Sequence, residues 1–133
     1  MKSKRIRIGD YNLGIHLVKL FADPDLAGGT FDMGPDDKGN AEICVGLDRP
    51  RWEQVVGAAL HEAMEFALIQ VCVRYQPAPD FSSDNGGLMF FATHSQFSEA
   101  TARAGCFLCA CLPPLAMEYN RCHKRRTMKG GRK

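Results

Sequence analysis

Between Val55 and Leu68 the chain carries an apolar residue at nearly every core-facing position of a helix, yet sets His61, Glu62 and Glu65 inside the same run. Val55, Val56, Ala59, Leu60, Ala63, Met64, Ala67 and Leu68 recur at spacings of three and four, the mark of a helix whose broad apolar stripe is buried. Asp48 as N-cap and Pro50 in the first turn place its start near Arg51, and the pattern runs through Val73. An unpaired charge in such a setting costs several kcal/mol, so each of the three groups needs a partner, water or a cation. Residues four apart on a helix stand one above the other, so His61 and Glu65 share a face while Glu62 lies about 100° round from His61. An imidazole nitrogen and a carboxylate oxygen one turn apart can grip one divalent cation of the zinc type, with Glu62 positioned as general base. This is the metal-binding logic of H-E-x-x-H with a glutamate in place of the second histidine.

The flanking sequence predicts strands before this helix and more helix after it. Lys4 to Ile8 alternates with period two, Gly9 to Asn12 supplies turn residues, and Gly14 to Phe21 is a second strand, giving a hairpin. His16 falls in that second strand and reads as an ordinary hydrogen-bonded histidine. Thr30 to Met33 and Ala41 to Leu47 flank the turn-rich Gly34 to Asn40, a second hairpin. Asp32, Asp36 and Asp37 lack the alternating ligands and distal glutamate of a calcium loop and read as a solvated turn. Tyr75 to Gly87 is a loop by composition, long enough to form a flap, and Leu88 to Ala92 is a short strand. Thr93 or Ser95 can cap a helix over Ser95 to Cys111, where Phe97, Ala100, Ala104, Phe107, Leu108 and Cys111 recur at helical spacing. Pro113-Pro114 should end or kink it, leaving a third helical piece from Leu115 to about His123. The expectation is a single α+β domain over residues 1–120, with N-terminal hairpins forming a small antiparallel sheet packed on two or three helices. A chain of 133 residues, 45% apolar, supports one core.

His94 opens the later helix. If the two helices pack side by side it completes a His61, Glu65, His94 ligand set, with the fourth position open as a catalytic zinc requires. Glu99 is the rival third ligand; five residues from His94, it points elsewhere, so one of the two fits and not both. Cys106, Cys109 and Cys111, with Cys122, could hold a structural metal, but Cys-Phe-Leu-Cys-Ala-Cys-Leu reads better as the buried face of a helix. Trp52 reads as a packing residue, as do Met64 and Met89.

Charge is uneven along the chain. Residues 121–133 hold seven Lys or Arg and no acid, leaving ten basic against fifteen acidic groups before them, a net of −5. An acidic body with a basic, flexible tail implies at most a weak, unspecific contact with nucleic acid or another polyanion. No run of 18 apolar residues and no secretory h-region is visible, so the expectation is a cytoplasmic protein with reduced thiols and no membrane partner.

Two hairpins containing Gly29-Thr30-Phe31-Asp32 and Ile43-Cys44-Val45, a helix bearing Leu60-His61-Glu62-x-x-Glu65, and His94-x-x-Phe97 opening another helix occur in that order. In this the chain resembles small phage-encoded zincin-like proteins of the minigluzincin type, related to the peptidase domains of phage repressor-cleaving regulators. The resemblance covers about residues 5–110 in outline. It implies a metallopeptidase-like fold, one zinc ion held at His61, Glu65 and His94, Glu62 as general base, and a peptide or protein substrate in the host cytoplasm. The glutamate at position 65, the long Pro-Ala-Pro loop, the cysteine-rich later helix and the basic tail depart from that pattern. Two alternatives from other classes stand beside it. One is a catalytically inactive zincin-fold binding protein, such as a phage-made inhibitor of a host nucleoprotein complex; the other is a nucleic-acid-associated accessory protein working through residues 121–133.

Overall fold

The computed structural model describes residues 5–32, 41–71, 74–77 and 88–130. In chain order they form β1 (Ile6–Leu13), β2 (His16–Asp23), β3 (Gly29–Asp32), β4 (Ala41–Gly46), α1 (Trp52–Gln70), β5 (Arg74–Pro77), β6 (Leu88–Phe91) and α2 (His94–Gly130). The fold is α+β. β1 and β2 form a hairpin as expected, but Gly9 to Asn12, expected as its turn, lie within β1 and pair with β2; the chain turns instead at Gly14, whose φ of 63° is the left-handed conformation glycine adopts without steric cost.

The four N-terminal strands lie in the order β1-β2-β4-β3. β3 pairs antiparallel with β4, Phe31 opposite Ile43, as a second hairpin requires, but β4 also pairs with β2 in parallel, Val18 opposite Ala41. The sheet is therefore mixed, where an antiparallel one was expected. The cause is visible in β4 itself: Ile43, Cys44 and Val45 are consecutive and all buried, so this strand is covered on both faces and belongs in the middle of the sheet. β3, half-exposed and four residues long, takes the edge. Arg74–Pro77 pairs antiparallel with Leu88–Phe91, so part of the expected loop is a separate two-stranded ribbon. Residues 78–87, like Asp36 and Asp37 of the turn-rich segment, lie outside the described residues.

Both helices cover one face of the sheet. α1 lies over β4 and β3, α2 over β1, and the helices pack on each other. Val18, Leu20, Ala22, Ile43 and Val45 meet Val55, Ala59, Ala63, Phe66 and Ala67 of α1 and Ala104, Phe107, Cys111 and Leu115 of α2 in a single core. The alanines of α1 let that helix sit close to the strands, and burial of this apolar surface is the main force holding the layers together.

Asp48 does not cap α1. Arg51 is the N-cap, its backbone N–H donating to the Gln54 side chain at 3.2 Å. Asp48 instead accepts from Arg126 Nη1 at 2.7 Å, and Arg126 Nη2 donates to the Pro24 carbonyl at 2.6 Å. That clamp belongs to a second difference from expectation: α2 passes through Pro113 and Pro114 and continues to Gly130, taking in most of what reads as a basic tail. Each proline removes one helical hydrogen bond. Leu115, Tyr119 and Cys122 beyond them are buried in register with Phe107 and Cys111, and that continued burial offsets the loss. At its start α2 is capped as expected: Gln96 N–H donates to Thr93 Oγ1 and Thr93 N–H to Gln96 Oε1.

Candidate metal centre

On α1 the i, i+4 geometry brings His61 Nε2 to 3.7 Å from Glu65 Oε2. Glu62 joins them, each of the three residues offering one ligand atom, all within 4.8 Å of one another. The three differ in environment. The His61 side chain is 69% exposed and that of Glu65 33%, whereas Glu62 is turned toward the sheet and only 6% exposed. Glu62 meets β3 where that strand has no side chain: a Cβ on Gly29 would lie 3.0 Å from Glu62 Cγ and 3.2 Å from its Oε1. Gly28-Gly29 reads in sequence only as a connection. Its glycines, a cheap signal for close approach, are what admit the carboxylate to the α1–β3 seam.

Burial raises the Glu62 pKa above its ordinary carboxylate value; the neighbouring Glu65 charge and a hydrogen bond with Glu65 raise it further, while His61 opposes them. A proton acceptor of raised pKa is the more effective near neutral pH. His61 and Glu62, but not Glu65, line a groove of about 740 Å³ together with Gly28, Gly29, Arg49, Gln54, Gly57 and Ala58.

The spacing of the His61–Glu65 pair, rather than that of all three residues, fits a divalent cation of the zinc class. With metal–ligand bonds of about 2.1 Å, a 3.7 Å separation of nitrogen and oxygen corresponds to an angle near 120°, within the range of a distorted tetrahedron. His61 and Glu65 can offer one nitrogen and one oxygen from the solvent side, and the Glu62 carboxylate stands on the buried side of the pair.

His94 is not brought into this group, and the expectation that it completes the ligand set is corrected. The helices run antiparallel: Gln96 Nε2 donates to the Val71 carbonyl and Arg103 Nη1 to Gln70 Oε1 at one end, and Tyr119 Oη donates to the Arg49 carbonyl at the other. His94, exposed, therefore sits beside the last turn of α1, and α1 rises about 15 Å from His61 to Val71. Glu99 is also outside the group, its carboxylate bonded to Arg103 at 2.6 Å. Side-by-side packing was the right premise, but the register places the start of α2 at the wrong end of α1.

The remaining candidates divide. His16 has its ring 5.4 Å from that of Phe66, and its Nδ1 is buried with no hydrogen-bond partner among the described residues, unlike the ordinary strand histidine expected. Trp52 packs on Tyr119 at 5.5 Å, as expected. Of the cysteines, Cys111 and Cys122 are buried but Cys106 and Cys109 are exposed, so the cysteine-rich stretch is only half a core face. Burial pushes the Cys44 thiol up to about 11 and Cys111 up to about 12, which keeps both protonated and unsuited to nucleophilic work.

Compared with known proteins, the chain matches no family model, no curated protein and no solved structure.

Proposed function

We propose that this protein is a small zincin-like peptide hydrolase, with His61 and Glu65 holding a zinc-class cation and Glu62 serving as general base. The observation that carries the reading is the placement of a buried carboxylate of raised pKa beside exposed His61 and half-buried Glu65, with His61 and Glu62 lining an open groove. A cation bound there supplies Lewis acidity to a carbonyl oxygen and lowers the pKa of water. The chain's own groups do the rest. Glu62 accepts a proton from the attacking water and can return it to the leaving amine, a role suited by its raised pKa. β3, bonded to β4 on one side only among the described strands, can align an extended peptide along the groove by main-chain hydrogen bonds. Gly29, lacking a side chain, leaves room for the Glu62 carboxylate beside β3.

One observation favours a second reading. Glu62 lies close enough to the pair to be a third ligand, and His94 is elsewhere. With Glu62 coordinating, no carboxylate of the group is left as base, and the protein is a cation-holding binding protein of the same fold. Glu62→Gln separates the two readings. For a hydrolase, bound zinc is retained and hydrolysis of an unstructured protein substrate falls by about 10²–10⁴-fold. For the binding protein, the same substitution releases the metal and no hydrolysis is present to lose.

A further inference from the structure

From Ala104 to Met117, between Arg103 and Glu118, α2 carries no charged residue. Its inner side over this stretch, Ala104, Phe107, Cys111 and Leu115, is spent on the core. Its outer side presents Ala102, Cys106, Cys109, Ala110, Pro113 and Met117 to solvent, Met117 at 67% exposure. A surface helix ordinarily carries charge opposite its apolar stripe, and a helix apolar all round is one covered all round.

We infer that two copies of this chain pair antiparallel through this outer face of α2, about a two-fold axis near Cys109 and Ala110. The face is self-complementary in the way such an axis requires. Counted from the middle of the 102–117 stretch, Ala102 of one copy falls opposite Met117 of the other, and Cys106 opposite Pro113. All but Met117 are small, so the helix axes can approach to about 8 Å over about 24 Å of length. The charges at the ends match as well. Glu99, 57% exposed and on the same side as Ala102 and Cys106, comes beside Asn120 and Arg121 of the second copy, with Lys124 one turn beyond. Parallel pairing would set Glu99 against Glu99 and Lys124 against Lys124.

A bilayer is the other environment that could cover this face, since α2 is long and apolar enough to cross a membrane by length and composition. Two features favour protein. A third of that window is buried in the core, so α2 could not be surrounded by lipid without unfolding the domain. Pro113 and Pro114 also have no N–H to give the carbonyls of Cys109 and Ala110, and hydrocarbon offers no replacement donor, whereas the thiols and waters of a protein interface do.

The test is sedimentation equilibrium of the reduced full-length protein with and without Ala110→Glu, each checked for native secondary structure by circular dichroism. The wild type should be dimeric at about 100 µM, and Ala110→Glu should raise the dimer dissociation constant by about tenfold or more. A short bis-maleimide should join two wild-type chains, and Cys106→Ser/Cys109→Ser should abolish the join, which keeps the question open to test if Ala110→Glu does not fold. A monomeric wild type, an unchanged dissociation constant in folded Ala110→Glu, cross-linking that survives loss of both thiols, or partition onto lipid vesicles without self-association would each overturn the inference.

Discussion

Gly29→Ala probes the seam between β3 and α1 from which the site is built. A methyl at this position would stand 3.0 Å from Glu62 Cγ, 3.2 Å from Glu62 Oε1 and 3.1 Å from the Cys44 carbonyl oxygen, closer than ordinary van der Waals contact. Replacing glycine in an extended strand gains about 0.4–1 kcal/mol by restricting the unfolded chain. Overpacking of this kind costs about 1–3 kcal/mol. The second effect is the larger, so Gly29→Ala should destabilise the protein by about 0.5–2 kcal/mol. In a Glu62→Ala background the clash with the glutamate is gone, while the contact with the Cys44 carbonyl is common to both backgrounds and cancels in the comparison. Urea unfolding of the wild type, the two single variants and the double variant should therefore give a coupling energy of about 1–2 kcal/mol, with Gly29→Ala cheaper once Glu62 is removed. Additivity within about 0.3 kcal/mol would refute the packing of Glu62 against β3.

The raised pKa of Glu62, due first to burial and then to Glu65, means the folded state binds its proton more readily than the unfolded chain. Its stability contribution is fully present below the ordinary carboxylate value of 4.5 and is lost as pH rises through the folded-state pKa. In metal-stripped protein, Glu62→Gln should therefore gain in urea midpoint relative to wild type between about pH 4 and pH 8, and a gap that stays constant over that range would contradict the assignment. Thiol labelling of the native protein near pH 8, at a dilution that leaves it monomeric, should modify exposed Cys106 and Cys109 rapidly and Cys44 and Cys111 only on unfolding, because burial both shields the latter pair and keeps them protonated. Arg126→Ala removes contacts to Asp48, Asp25 and the Pro24 carbonyl. These groups are largely solvent-exposed, so the global cost should be about 0.5–1 kcal/mol or less, with faster amide exchange confined to about residues 121–130. Exchange spreading back through Phe107 would show that the end of α2 is coupled to the core more tightly than the clamp implies.

The features legible in the sequence were those fixed by local periodicity. The α1 pattern gave a helix within a few residues of Trp52–Gln70, and the spacing of His61, Glu62 and Glu65 was enough to bring them together, because one helix sets their geometry without help from the rest of the fold. What was not legible depends on long-range register. His94 lies on the expected helix with the expected Thr93 cap, but where that helix begins along α1 is decided by contacts such as Gln96 to Val71, which no local pattern encodes. The parallel pairing of β2 with β4 escaped for the same reason, although the unbroken apolar run Ile43-Cys44-Val45 was a hint of a central strand. At Pro113-Pro114 the local penalty is offset by the burial of Leu115, Tyr119 and Cys122 beyond it, which no local pattern encodes. Arg126 looked like one more tail charge; its pairing with Asp48 spans 78 residues of sequence.

Elemental analysis of the purified protein and three of its variants bears most directly on the proposed centre. Wild type prepared with zinc present should carry one equivalent per chain. His61→Ala and Glu65→Ala should each lose it, and His94→Ala, altered at the far end of α1, should keep it. A wild type that binds no metal, or a His94→Ala protein that releases it while His61→Ala does not, would contradict the assignment of His61 and Glu65 as the ligands.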